Sequence, residues 1–199
     1  MKIIFATANK GKLREAAEIL GPGFELVTPS ELGIVEDIEE TGTTLEENSL
    51  IKARFLWDRT GTICFADDTG LEVDALGGAP GVYSARYSGP GHDFEGNRKK
   101  LLDSLDKAGA LSPEARKARF RSIVTLIKDG EVHCFEGRME GYIAGKEAGN
   151  GGFGYDPVFI ADEYPGRTVA ELPEAIKNEI SHRGKSLREM ADWLKGHSI

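Results

Sequence analysis

The sequence predicts an α/β fold built on a mixed β-sheet. Apolar strand-like runs alternate with amphipathic helices over the first half of the chain, a pattern typical of α/β proteins with parallel strands. Two longer strand-like runs then flank Asp129-Gly130, the strongest short hairpin signal in the chain. Because a hairpin pairs its strands in antiparallel fashion, the complete sheet is expected to contain both orientations.

The first half of the chain predicts three strands and two helices. Short apolar runs at residues 3–6, 24–27 and 63–66 have the length of buried strands. Between the first two, apolar residues at helical spacing predict a helix that Gly21-Pro22-Gly23 ends. Thr44 and Glu47 have the spacing of a capping box, so a second helix is expected to begin there.

The second half predicts loops rich in glycine and proline between helices and the hairpin. A loop over residues 77–91 precedes a helix at about 94–107, and Ser112-Pro113 opens a further short helical piece. The hairpin strands are expected at 120–128 and 131–143, a glycine-rich loop at 149–156 and a closing helix at 187–194.

Length and composition indicate one globular domain over residues 1–199, with 40% apolar and 29% charged residues. No apolar stretch approaches the ~20 residues that span a bilayer. Met1 leads into a short apolar run without the basic start and long apolar stretch of a secretion signal, so we expect a cytoplasmic protein without membrane partners. Cys64 and Cys134 lie in strand-like runs and are expected to be buried thiols.

The net charge of −8 argues against a broad nucleic-acid surface, which would need a dominant basic patch. A small phosphorylated substrate remains compatible with this charge, because a few local cations and a metal ion can neutralise it. We therefore expect a small-molecule partner and no nucleic-acid partner.

The segment from Thr7 to Lys12 joins the first strand to the first helix. A helix N-terminus offers N–H groups and the positive end of the helix dipole, so anions bind there readily. Lys10 and Lys12 add positive charge, and Thr7 and Asn9 add short polar side chains. Taken alone, the segment is explained more simply as an Asn-capped helix with solvated lysines.

Asp67 and Asp68 follow the third predicted strand and form a stronger signal. Strand alternation points adjacent side chains to opposite sides, which separates two carboxylates that repel each other. One of them can then hold a hard cation such as Mg²⁺, which prefers oxygen ligands. A polar turn after a strand explains the same residues equally well.

Other catalytic motifs lack support in this sequence. Gly149, Gly151 and Gly154 have the spacing of a dinucleotide-binding loop, but an extended run with Pro157 follows them instead of a helix. Gly184-Lys185-Ser186 resembles the end of a P-loop, yet Glu179 stands at the position of its first glycine. The four histidines form no metal-binding pair, and no nucleophile elbow is present.

Taken together, the motifs resemble those of the inosine triphosphate pyrophosphatase family, also called the XTP/dITP diphosphatases. The matching segments are short, but they follow the family's order and span nearly the whole chain. They are Thr7-Ala8-Asn9-Lys10-Gly11-Lys12, Glu40-Thr41-Gly42, Glu47-Asn48, Lys52-Ala53-Arg54, Phe65-Ala66-Asp67-Asp68-Thr69-Gly70-Leu71, Leu76-Gly77-Gly78-Ala79-Pro80-Gly81-Val82-Tyr83-Ser84-Ala85-Arg86, Gly151-Gly152-Phe153-Gly154-Tyr155-Asp156-Pro157 and Ser181-His182-Arg183.

Two positions depart from the family's pattern. Ala8 stands where glycine is common, and Thr69 stands where serine is common. Thr69 keeps a hydroxyl group and Ala8 keeps its backbone N–H, so the departures leave the assignment in place.

The resemblance implies a two-lobed α/β fold with an elongated mixed central sheet flanked by helices, a substrate cleft between the lobes, and a homodimer. It also implies Mg²⁺-dependent hydrolysis of non-standard purine nucleoside triphosphates (ITP, dITP, XTP) to the monophosphate and pyrophosphate. Such an activity keeps these bases out of DNA and RNA.

Residue roles follow from the same resemblance. Asp68 is implied to bind Mg²⁺ and activate the attacking water, Glu40 to be a second metal ligand, and Lys52 to act in catalysis on the triphosphate. The implied substrate-binding residues are Thr7, Asn9, Lys10, Gly11 and Lys12 for the triphosphate, Thr69, and Phe153, Gly154, Tyr155, Asp156, Lys177, His182 and Arg183 for the base.

Two other functions remain open. A non-catalytic nucleotide sensor could use the same scaffold, although it would not need Asp68, Glu40 and Lys52 together. A related pyrophosphatase could act on pyrimidine or modified nucleotides. Pyrophosphate release from a panel of nucleotides, with and without Mg²⁺, separates the three.

Overall fold

A computed structural model describes residues 1–197. Within them lie seven strands and five α-helices, joined by loops and short 3₁₀ turns. The strands are β1 (Lys2–Phe5), β2 (Glu25–Val27), β3 (Cys64–Val73), β4 (Pro80–Gly81), β5 (Lys117–Lys128), β6 (Glu131–Ile143) and β7 (Phe159–Ala161). The helices are α1 (Lys10–Leu20), α2 (Leu45–Thr60), α3 (Phe94–Lys107), α4 (Glu174–Ile180) and α5 (His182–Gly196).

The strands form the mixed sheet that the sequence predicts. Its order is β2-β1-β3-β5-β6-β7, with β4 paired to β3 outside this path. β1 runs parallel to β2 and β3, with Ile4 opposite Val27 and Cys64, whereas β4 pairs with β3 and β7 with β6 in antiparallel fashion. The predicted α/β class with a mixed sheet and flanking helices is therefore confirmed.

Local sequence signals fix the predicted helix start and hairpin. Thr44 caps α2, and its side chain and that of Glu47 form the predicted capping box. Asp129 and Gly130 both have positive φ, 54° and 84°, and connect β5 directly to β6. A two-residue hairpin turn of this kind needs such values at both positions, which Gly adopts without strain and Asp tolerates.

Two predicted boundaries were wrong. β3 does not end at the aspartate pair but continues through Asp67 and Asp68 to Val73, so the pair lies inside a strand and not in a turn. The closing helix begins at His182, five residues before the predicted start at Leu187. Both missed segments, the end of β3 and the start of α5, begin with polar residues. Apolar periodicity cannot detect them, because burial of these residues depends on partners distant in sequence.

The chain divides into two compact units, and three strands contribute residues to both. The first unit contains residues 1–68, 122–137 and 183–197. In it, one face of the strands buries Ile3, Phe5 and Phe65 against α1 and α5. The opposite face buries Ile4, Cys64 and Ala66 against Ala53 and Leu56 of α2. This alternation decides which helices each residue of β3 faces.

The second unit contains residues 69–121 and 138–182 and has its own core. Leu101 and Leu105 of α3 pack there with Leu71 and Val73 of β3 and with Phe159 of β7. The prediction that residues 1–199 act as a single domain of two lobes, with the substrate cleft between them, stays a prediction.

The two cysteines differ from each other. Cys64 is buried as predicted, and burial raises the pKa of its thiol to about 12. Cys134 is exposed, so the prediction of a buried thiol was wrong there, because its strand position faces outward. None of the helices between residues 1 and 197 has the length and apolar character needed to cross a membrane.

The pairing of β6 with β7 generates a stability prediction at Gly141. A Cβ at this position would lie 2.1 Å from the carbonyl oxygen of Ile160 and 2.9 Å from Cζ of Phe159. We expect Gly141→Ala to lower the free energy of unfolding by about 1–3 kcal/mol, since the added methyl group has to displace backbone. Gly145→Ala is the matched control, because a Cβ there meets nothing within 4 Å. Equal urea midpoints for both variants would contradict this account of the strand pair.

Candidate active site

Strand β3 delivers two buried carboxylates to opposite faces of the first unit. Asp67 lies on the face that Phe65 shares with α1 and α5, and Asp68 lies on the face that Ala66 shares with α2. Asp67 is 1% exposed and Asp68 is 8% exposed. A buried carboxylate stays charged only with a partner, so each face has to supply its own cation.

Lys52 supplies the cation for Asp68. Its Nζ donates to Asp68 Oδ1 at 2.9 Å and to Glu40 Oε1 at 2.7 Å, so one ammonium group is shared by two carboxylates. Burial alone would lower the pKa of Lys52, but the surrounding carboxylates outweigh burial and raise it. Burial raises the pKa of Asp68 against the opposing effect of Lys52.

The sequence of α2 explains why a lysine reaches this buried position. Leu45, Ser49, Lys52, Ala53 and Leu56 fall on one helical stripe, and all five are buried. Lys52 is therefore the one charged residue in an otherwise apolar or small stripe. Its long stem can pack among these neighbours while its ammonium group reaches the carboxylates.

The segment that carries Glu40 is fastened to the same helix. Asn48 lies one turn before Lys52, and its Oδ1 accepts a hydrogen bond from the Gly42 N–H at 2.8 Å. A Cβ at Gly42 would lie 2.6 Å from that oxygen and 2.7 Å from Cβ of Glu47, so this close approach requires glycine. Glu47 also accepts from the N–H groups of Thr43 and Thr44.

On the other face, Asp67 binds two cations from two helices. Lys12 Nζ of α1 donates to Oδ1 at 3.0 Å, and Arg183 Nε of α5 donates to Oδ2 at 3.0 Å. Arg183 also donates from Nη1 to Glu15. Burial alone would raise the pKa of Asp67, but Lys12 and Arg183 hold it well below its usual range. Desolvation lowers the pKa of Lys12 despite this partner.

The segment before α1 forms an ordinary helix cap in this structure. Asn9 Oδ1 accepts from the N–H groups of Gly11 and Lys12, and Thr7 Oγ1 accepts from the N–H of Asn9. Lys10 is exposed, whereas the Lys12 side chain is only 20% exposed. The contact of its Nζ with Asp67 holds Lys12 in a defined direction.

The carboxylates around Lys52 are of the oxygen-donor type that a divalent cation such as Mg²⁺ accepts. Asp68 and Glu40 offer carboxylate oxygens within reach of one shared cation. Among residues 1–197, no group of three or more acidic, histidine or cysteine side chains forms a complete metal cage. Mg²⁺ typically uses one or two protein carboxylates together with substrate phosphates and waters, so two carboxylates suffice.

The other predicted binding residues lie in the second unit, around the glycine-rich loop. Asp156 Oδ2 accepts from Lys177 Nζ of α4 at 2.9 Å and from the Phe153 N–H at 3.1 Å. Gly152 has a φ of 73°, and a Cβ there would lie 2.0 Å from Asp156 Oδ2. Gly154 also has positive φ, and its carbonyl accepts from Arg98 at 3.0 Å.

The remaining predicted residues differ in how they are presented. Phe153 is 52% exposed, whereas Tyr155 is buried and its hydroxyl donates to the carbonyl of Ser84. His182 stacks on Phe120 with ring centroids 4.8 Å apart. Within the described residues, no polar group lies at hydrogen-bonding distance from the buried hydroxyl of Thr69.

The structure also identifies residues that the sequence analysis missed. Asp67 was left without a role, and Glu15, Arg98 and the contact from Asn48 to Gly42 were not anticipated. Helical spacing held a signal for two of them: Glu15 lies three residues after Lys12, and Asn48 lies four residues before Lys52. The contact of Arg98 with Gly154 joins residues 56 apart in sequence and left no such signal.

Comparison with known proteins gives consistent results over the whole chain. Residues 3–193 match the sequence profile of the Ham1 family. The chain is 49% identical to a protein named dITP/XTP pyrophosphatase from Porphyromonas gingivalis, over 97% of each chain. It is similar to the solved structure of a HAM1 protein from Coxiella burnetii (TM-score 0.90, 38% identity, 98% and 99% coverage). It is also similar to the Staphylococcus aureus Ham1 protein (TM-score 0.89, 36% identity, complete coverage of both chains).

The paired charges on Asp67 generate a stability prediction. We expect Asp67→Asn to lower the free energy of unfolding at neutral pH by about 3–5 kcal/mol, because Lys12 loses its counter-ion and the buried Arg183 keeps only Glu15. Asp192→Asn is the matched control, since its ion pair with Lys195 is exposed on both sides. Urea unfolding of both variants measures the difference. A loss no larger for Asp67→Asn than for Asp192→Asn would contradict the proposed buried network.

Proposed function

Because this chain belongs to the Ham1 family, we propose that it hydrolyses non-standard purine nucleoside triphosphates to the monophosphate and pyrophosphate. ITP, dITP and XTP are the substrates that we propose, and their removal keeps these bases out of DNA and RNA. Relatives named dITP/XTP pyrophosphatase, aligned over nearly their full length, support this activity. The observation that carries it is the cluster in which the buried Lys52 bridges the buried Asp68 and the partly exposed Glu40.

We assign a divalent cation, Mg²⁺, to Asp68 and Glu40. Bound there, the ion would neutralise triphosphate charge and stabilise the departing pyrophosphate. The buried position of Asp68 suits this role, because a carboxylate in a low-dielectric site attracts a hard cation strongly.

Asp68 and Lys52 are the proposed catalytic residues. Asp68 Oδ1 accepts a hydrogen bond in this structure, and the same carboxylate orients the attacking water and takes its proton. Lys52 holds its ammonium group on a rigid helix and donates to a phosphate oxygen as negative charge shifts during P–O cleavage. A cation fixed by packing needs no reorganisation when that charge develops.

We propose that the start of α1 binds the rest of the triphosphate. The contact with Asp67 directs Lys12, and Lys10 adds an exposed positive charge. The side chains of Thr7 and Asn9 and the backbone of Gly11 complete this set. The hydroxyl of Thr69, the residue after Asp68, has no hydrogen-bond partner among residues 1–197 and is proposed to donate to a substrate oxygen.

We propose that the base is recognised by the second group of residues. Phe153 offers an exposed ring for stacking, and Gly154 and Tyr155 offer backbone groups. Lys177, His182 and Arg183 are the proposed donors to the base, and Asp156 orients Lys177. Hypoxanthine and xanthine carry an acceptor oxygen at position 6, whereas adenine carries an amino group that would meet these donors without a partner.

Assembly and location are proposals as well. We propose that residues 1–199 act as one domain, that the protein forms a homodimer in the cytoplasm, and that its partner is a small nucleotide and not a nucleic acid. The net charge of −8 supports the last point, since binding along a nucleic-acid backbone relies on many phosphate contacts from basic residues.

The proposed role of Asp68 is tested by Asp68→Asn. The amide has nearly the same shape but lacks the charge that holds a metal ion and accepts a proton. We expect kcat for ITP to fall about 10³-fold or more, equivalent to about 4 kcal/mol of barrier, with the fold retained. Pyrophosphate release and circular dichroism measure the two effects. Asp58→Asn, an exposed change on α2, is the control, and near-normal turnover of Asp68→Asn would remove Asp68 from the site.

Base selection is tested at Lys177. Arg183 is less suitable, because it also holds Asp67 and Glu15 and its loss would disturb both. We expect Lys177→Met to reduce kcat/KM for ITP about tenfold more than for ATP, since a donor to the 6-oxo group is worth roughly 1–3 kcal/mol. Lys146→Met, an exposed lysine of the same unit, is the control. An unchanged ratio of the two constants would exclude Lys177 from base selection.

A further inference from the structure

The glycine-rich loop presents the ring of Phe153 to solvent on a backbone that is rich in glycine. Phe153 is 52% exposed, yet the backbone around it is flanked by Gly152 and Gly154, both with positive φ. Glycines give the backbone more accessible conformations than other residues do. A ring carried on such a segment keeps one position only where outside contacts hold it.

Helix α3 supplies such contacts from its first turn. Phe94, its first residue, packs against Phe153 in a T-shaped arrangement with centroids 6.1 Å apart and ring planes at 65°. Arg98, one turn later, donates from Nη1 to the carbonyl oxygen of Gly154 at 3.0 Å. Residues four apart lie on one helical face. A single face of α3 therefore contacts the loop at two points, the ring of Phe153 and the carbonyl oxygen of Gly154.

Arg98 and the first turn of α3 have further contacts of their own. Arg98 is 15% exposed in its side chain, and its Nε lies 3.0 Å from Glu147 Oε1. The start of α3 is capped by Asp93, whose Oδ1 accepts from the Gly96 N–H at 2.9 Å. A Cβ at Gly96 would lie 2.3 Å from Asp93 Oδ2, so the close approach of the Asp93 side chain requires glycine at position 96. The helix start and the arginine that contact the loop therefore have partners of their own.

We propose that Phe94 and Arg98 are positioning residues for base binding, which act by holding Phe153 in its stacking position. The inference rests on the proposed function, in which Phe153 stacks on the purine. A T-shaped contact occupies at most one face of the Phe153 ring, so a second face stays available for a base. Loss of either support lets the loop sample other conformations, and nucleotide binding then has to restore the order.

The expected signature is a change in affinity without a change in chemistry. Phe94 and Arg98 contact the loop that carries Phe153 and not the groups that we propose to react. We expect Phe94→Ala and Arg98→Met to raise the KM for ITP and the dissociation constant of inosine monophosphate about three- to tenfold, with kcat within about twofold of wild type. Arg98→Lys keeps a donor and a positive charge, so it should recover part of the loss.

A double-mutant cycle separates positioning from direct contact. If Phe94 acts through Phe153, then Phe94→Ala adds little to Phe153→Ala, and the double variant binds inosine monophosphate about as weakly as Phe153→Ala alone. Fully additive effects would overturn the proposal. Phe94→Leu keeps apolar bulk at the same position, and circular dichroism of each variant reports whether the fold is retained. Lys99→Ala, an exposed change on α3, is the control.

The outcomes distinguish this inference from the function on which it rests. Calorimetric titration with inosine monophosphate and steady-state kinetics with ITP give the constants. One outcome would overturn the positioning role alone. In it the wild-type protein binds inosine monophosphate and hydrolyses ITP, and Phe94→Ala, Phe94→Leu and Arg98→Met leave the dissociation constant and the KM unchanged. A wild-type protein that neither binds inosine monophosphate nor hydrolyses ITP would overturn the proposed function, and this inference with it.

Discussion

Two consecutive carboxylates have to remain charged inside strand β3, and much of the described structure follows from this constraint. Strand alternation separates Asp67 from Asp68 and gives each its own face of the first unit. Each face then supplies cations, Lys52 from α2 on one side and Lys12 and Arg183 on the other. A buried ion pair is weak support for stability but strong support for a defined arrangement of charges, and such an arrangement is what a triphosphate needs.

The two faces serve the proposed reaction differently. Lys52 is shared by Asp68 and Glu40, which are the carboxylates that we assign to the metal ion, so charge can be redistributed there when substrate binds. Asp67 is saturated by its two cations and is almost inaccessible, which suits a structural anchor better than a reactive group. We therefore propose separate tasks for these adjacent aspartates, whose surroundings differ because different helices cover the two faces.

Much of this fold could be predicted from local sequence signals, but the ion pairs of the buried aspartates could not. The Thr44 capping box, the Asp129-Gly130 hairpin and the opposite directions of Asp67 and Asp68 depend on neighbours in sequence. The continuation of β3 to Val73 was missed because two acidic residues followed by Thr69 and Gly70 have the composition of a turn. Only contacts across the fold, such as that of Arg183 with Asp67 over 116 positions, make burial of that segment favourable. Cys134 shows the converse. It lies in a strand and was predicted to be buried, but its side chain points outward, which the apolar pattern does not reveal.

We propose that this arrangement of charges cleaves a purine triphosphate between its α- and β-phosphates. Product analysis of ITP hydrolysis by ³¹P nuclear magnetic resonance tests it most directly, because the two sites of cleavage leave different phosphorus species. We expect inosine monophosphate and pyrophosphate in equal amounts, formed only with a divalent cation, and ATP turnover slower by about 10²-fold or more. Inosine diphosphate with inorganic phosphate, or equal rates for ITP and ATP, would contradict it.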